Sequence, residues 1–143
     1  MWRNLLAITL LCVGFLGRPP VPQAEIALVS LPGYATPVVT AHFEGKPLRL
    51  LFDTGATVSL LRPPVWNALG MPGELSGKGN VRGVNGWTMG VPRYLVDGLE
   101  IGSCRFEDVG FWVTAVNIGP EGDGGISGIL GMDLMRRMGN ITF

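Results

Sequence analysis

The sequence predicts an all-β barrel or sandwich with one short C-terminal helix, and two observations carry that prediction. Twenty-two glycines and eleven prolines cut a chain of 143 residues into short segments. Those segments are rich in Val, Ile, Leu and Phe, which suit a pleated sheet, and turn residues separate them at close intervals. The length is one domain's worth, with no internal repeat and no linker in its main part.

Taken in order, residues 36–43 alternate loosely and read as a strand. Glu44-Gly45-Lys46-Pro47 is a hairpin turn by its glycine and proline. Residues 48–52 form a second strand, apolar at nearly every position and therefore buried on both faces. Asp53-Thr54-Gly55-Ala56 interrupts with a polar turn before 57–61 resume as a third strand. A single helical turn fits 63–69, since proline suits a helix start and Gly70 a helix end. Residues 73–79 are polar and read as flexible. A hairpin follows over 81–89, with Asn85-Gly86 the favoured two-residue tip. Residues 91–96 and 99–101, Phe106, and 109–116 supply further strands, and 118–127 form a glycine-rich loop. The best helix candidate is 132–138, and 141–143 is a last short strand.

The N-terminus is set apart by its composition. Met1-Trp2-Arg3-Asn4 is short and basic, residues 5–17 are apolar apart from Thr9, and three prolines follow before Ala24. This is the layout of a secretory signal. The apolar run of 13 residues is shorter than the ~20 that a bilayer-spanning helix needs. The expected organisation is a signal peptide or an uncleaved signal anchor at 1–24, then one domain at 25–143. The product is expected to be secreted or periplasmic, or tethered to a membrane through residues 5–17.

Beyond the leader, nine basic side chains meet eleven acidic ones. No basic stripe is available to neutralise phosphates, so nucleic acid is not an expected partner. Cys104 is the one cysteine left, has no internal disulfide partner, and reads as a small buried core residue. His42 is the single histidine. Its solitude excludes a multi-histidine zinc site and argues against Ser-His or Cys-His catalysis, leaving a solvated strand residue. No cofactor and no metal are expected.

Asp53 carries the chemistry. An aspartate leaving an entirely apolar strand is costly unless its charge is used or compensated. Thr54 offers a hydroxyl to lock the turn, Gly55 permits close backbone approach, and Ala56 avoids crowding. A carboxylate on a rigid turn between strands suits a fixed acid or base. An ordinary Asx-turn would also fit Asp-Thr-Gly taken alone.

A second segment, Gly128-Ile129-Leu130-Gly131-Met132-Asp133-Leu134-Met135, places two bulky apolar residues and a glycine before the helix. Together, Leu51-Phe52-Asp53-Thr54-Gly55-Ala56 and Ile129-Leu130-Gly131 resemble the retropepsin-like aspartic peptidases, single-domain relatives of pepsin found in retroviruses and in many bacterial proteins. The resemblance covers about residues 34–143 in the same order. It implies a retropepsin-like closed β-barrel, half of an acid protease fold. It also implies a homodimer in which two Asp53 carboxylates share one proton and activate a water against a peptide bond. By the same resemblance Asp53 is catalytic, and Thr54, Gly55 and Ala56 brace the paired turns and admit the substrate backbone. Val84, Asn85, Gly86 and Trp87 form a flap over an extended peptide or protein substrate. Trp87 would cap a hydrophobic pocket or stand as a partly buried hairpin aromatic. The family's dimer is held by strands from the chain ends, and this sequence stops at Phe143, so it is a fragment or its pairing differs.

The expected function is thus an aspartic endopeptidase. Alternatives are a non-catalytic peptide-binding or dimerisation module with the same fold, and a regulatory peptidase acting on one partner. Asp133 reads as a helix-start cap rather than a second catalytic acid. Gly77-Lys78-Gly79 lacks phosphate-loop spacing, Arg136-Arg137 suit a helix end, and Asn140-Ile141-Thr142 matches a glycosylation sequon.

Overall fold

Short apolar segments between tight turns pair into one curled, half-barrel sheet. The structure is a computed structural model that describes residues 5–10, 24–118, 125–139 and 141–142, with side chains described for 26–118 and 125–139. The first half contains β1 (Leu5–Leu10), β2 (Ala24–Val29), β3 (Val38–Phe43), β4 (Lys46–Phe52), β5 (Leu60–Leu61) and helix α1 (Pro63–Ala68). The long hairpin β6 (Glu74–Gly83) and β7 (Gly86–Val96) follows, then β8 (Leu99–Ile101), β9 (Cys104–Phe106) and β10 (Val109–Val113). The chain closes with β11 (Gly128–Leu130), helix α2 (Met132–Met135), a 3-10 turn at Arg136–Met138, and β12 (Ile141–Thr142).

The sheet runs β12-β1-β2-β3-β4-β11-β5-β10-β7-β6, with β8 paired to β3 and β9. Its centre decides where the site lies. β4 and β5 are neighbours in sequence but not in the sheet, because β11 lies between them, parallel to β4 and antiparallel to β5. The turn joining β4 to β5 must therefore pass over the end of β11, where α2 begins. Gly128 permits this close packing, since a Cβ there would lie 2.0 Å from the Leu60 carbonyl oxygen.

Burial explains why these segments are strands. In β4, Leu48, Leu50, Leu51 and Phe52 are all buried, as an apolar run predicts. The two sides of the sheet use them differently. Leu48, Leu50 and Phe52 join the main core with Val39, Leu61, Leu99, Phe111, Leu130 and Leu134. Leu51 turns the other way, into a smaller apolar cluster with Val38, Leu60, Ile126 and Ile129. Each such side chain contributes about 1.5–3 kcal/mol on burial. His42 is exposed in β3, opposite Pro47 and Glu100, as a solvated strand residue should be.

Several expectations need correction. Residues 73–79 are not a flexible loop: 74–79 belong to β6, which pairs with β7 along its length through two register shifts. Glycine and polar residues hide a strand from propensity arguments when its partner supplies the order. Residues 57–61 shorten to Leu60–Leu61, because the backbone N–H of Ser59 donates to a side chain rather than to a ladder. The stretch 81–96 is one hairpin with a continuous second strand. Its loop is Val84-Asn85, with Gly83 paired to Gly86, one residue earlier than expected. A two-residue tip at Asn85-Gly86 would need left-handed backbone at both positions. Here Gly86 alone adopts it, at φ 109°, and the loop ahead of it carries the β-branched Val84.

Cys104 is buried but disulfide-bonded, not a free thiol. The expectation counted only cysteines beyond the leader, whereas the whole chain has two, and Cys12 lies outside the described residues. Within the expected leader, Leu5–Leu10 forms β1, in antiparallel register with β2 from Leu5↔Val29 to Leu10↔Ala24. No helix among the described residues is long and apolar enough to cross a membrane. The expected loop at 118–127 lies partly, and the sequon residue Asn140 and Phe143 wholly, outside the described residues.

Candidate active site

Asp53 leaves the end of β4 half-buried, and the turn that follows is held from two sides. Within the turn, the Gly55 N–H donates to Asp53 Oδ1 at 2.8 Å, and the Ala56 N–H donates to the Asp53 carbonyl at 3.2 Å. A Cβ on Gly55 would come within 3.1 Å of that same Oδ1, so glycine leaves the carboxylate its place. From below, the Asp53 N–H donates to the Leu130 carbonyl at 3.1 Å and the Met132 N–H to the Ala56 carbonyl at 2.8 Å. The two segments that carry the family resemblance thus meet in space. Gly131 makes the contact possible: a Cβ there would sit 2.5 Å from the Val58 carbonyl oxygen.

One pair of residues was not legible as a pair. Ser59 is fully buried. Its Oγ donates to Asp133 Oδ1 at 2.7 Å and accepts from the Gly131 N–H at 3.0 Å. Its own N–H donates to Asp133 Oδ2 at 3.0 Å. Asp133 Oδ1 also accepts from the Leu134 N–H at 2.8 Å, in the first turn of α2. Asp133 is therefore a clasp between the catalytic-type turn and the helix, with both oxygens engaged; the N-cap itself is Gly131. The available signal was Ser59, a polar residue inside Val58-Ser59-Leu60-Leu61.

The turn opens onto a cleft of about 680 Å³. Asp53, Gly55 and Ala56 lie at its base, with Leu60 and Ile129 beside them. The β6–β7 hairpin supplies one wall through Val84, Asn85, Gly86 and Trp87, and residues 114–118 supply another. Thr54 does not line the cleft but is exposed beside it. The hairpin tip carries apolar side chains into open space: Val84 is 101% exposed, Trp87 64% and Met89 70%. Trp87 is thus not a partly buried hairpin aromatic. The Arg82 guanidinium lies 5.9 Å from the centre of the Trp87 ring. Among the described residues no group of three or more His, Cys, Asp or Glu side chains could hold a metal ion.

A family model described as aspartyl protease matches residues 39–134, a span that takes in the Asp53 turn, the hairpin and the Gly131–Asp133 clasp. The chain belongs to the aspartyl protease family. That match runs through the retropepsin-like elements, from β3 to α2, and agrees with the strand-built half-barrel. No curated protein matches the chain.

Proposed function

We propose that the chain is an aspartic endopeptidase that works as a homodimer. The observation that supports this best is a single Asp53 on a braced turn at the base of an open cleft, with Thr54 and Gly55 exposed beside it. One carboxylate cannot both take a proton from water and give one to a carbonyl in the same step. A second copy, related by a two-fold axis, brings a second Asp53. The two carboxylates then share one proton because both cannot ionise comfortably at close range. The ionised member draws a proton from a water between them, the protonated member polarises the peptide carbonyl, and water attacks without a covalent intermediate; the proton taken from water then passes to the amide nitrogen as the C–N bond breaks. The flap of residues 84–87 closes over the extended substrate and excludes solvent. The leader's layout supports export or membrane tethering, and the disulfide at Cys104, whose one possible partner within the chain is Cys12 of the leader, favours a retained leader in an oxidising compartment.

The direct test is turnover of a mixed peptide library near pH 5 by the full chain and by Asp53→Asn. The substitution keeps the shape of the side chain and removes its charge, so cleavage should drop to background. Equal cleavage by the two proteins would end the proposal.

A further inference from the structure

Of the side chains that line the cleft, two are ionisable: Asp53 at its base and Arg82 on the flap. The remainder are apolar or neutral, with Leu60, Val81, Val116, Ile118 and Ile129 forming the greasy part. Arg82 is exposed, and its recorded partner among the described residues is the face of Trp87, directly opposite it in the hairpin register. That arrangement matters chemically. A cation–π contact with an indole restrains the long arginine stem and leaves N–H donors of the guanidinium open to a ligand. A planar donor fork held over an otherwise apolar cleft matches a carboxylate.

We propose that Arg82 is a specificity-determining residue that selects peptides carrying an acidic side chain near the flap, beside apolar residues that fill the cleft. The inference rests on the peptidase reading for the identity of the ligand as a peptide, but not on turnover. Arg82 is the one cationic side chain lining the cleft, so an acidic side chain finds its complement there.

The test measures binding, not cleavage. Fluorescence anisotropy of labelled peptides with the full-length Asp53→Asn chain compares pairs that differ by Glu or Gln at one position, scanned along an apolar peptide. At one position or more, Glu should bind roughly three- to tenfold more tightly, as a charge-assisted pair provides. The preference should shrink with added salt, vanish in an added Arg82→Gln change and partly return in Arg82→Lys. Binding of the Gln peptides should stay the same in all three. Equal binding of both members at every position would overturn the proposal, as would an Arg82→Gln loss shared equally by Glu and Gln peptides, or no binding of any pair. A wild-type chain that shows the preference without cleaving would refute the peptidase reading and leave this inference standing.

Discussion

Ser59 and Asp133 show how much one buried hydroxyl can organise. Four hydrogen bonds converge on these two side chains, and they tie the turn carrying Asp53 to the start of α2. Replacing Ser59 with Ala strands the Gly131 N–H and removes one partner of the Asp133 carboxylate. Unsatisfied buried groups of this kind cost about 1–3 kcal/mol each. Urea denaturation of Ser59→Ala should show a loss in that range, and an unchanged midpoint would refute the clasp. Asp133→Asn discriminates between two roles. As a brace, it should lower stability and leave residual peptidase activity in the protein that stays folded. A catalytic acid would instead leave stability unchanged and abolish turnover.

The hairpin is the element whose exposure calls for a function. Val84, Trp87 and Met89 project their apolar surface into solvent, which is costly to no purpose unless something lies beneath them in the working state. If Trp87 closes over substrate, Trp87→Ala should raise KM roughly three- to tenfold with little change in thermal stability, because that side chain is largely solvated without substrate. A stability loss with unchanged KM would assign it to the hairpin alone. Gly131 tests the other half of the site. Ala at this position drives a methyl group into backbone rather than into a movable side chain. The expected loss is about 1–3 kcal/mol, read by denaturation.

At the scale of the whole molecule, the proposed homodimer would take half of its reaction centre from each chain. Specific activity should therefore fall on dilution, in step with dissociation measured by sedimentation. Mixing wild type with an excess of Asp53→Asn should suppress activity beyond simple dilution, because mixed dimers hold only one carboxylate. A dilution-independent activity from a monomeric chain would contradict the dimer.

Much of this was readable from residues alone, for a physical reason. Leu48 to Phe52, the hairpin turn (narrower than expected at Glu44-Gly45, because Lys46 and Pro47 pair into β4), the Asp-Thr-Gly-Ala turn and the glycine before α2 are governed by local rules of burial and backbone freedom. Both Glu44 and Gly45 take positive φ, as a tight hairpin with matching twist requires. What lay beyond the sequence was decided by partners distant in the chain. β6 is a strand because β7 pairs with it, although its glycines argue for a loop. The Ser59–Asp133 clasp exists because β11 inserts between β4 and β5, bringing together residues 74 positions apart. Sequence determined which side chains could do chemistry, since charge and size are carried by each residue. Only the tertiary structure decided their company, because a hydrogen bond or a shared cleft depends on distance in space.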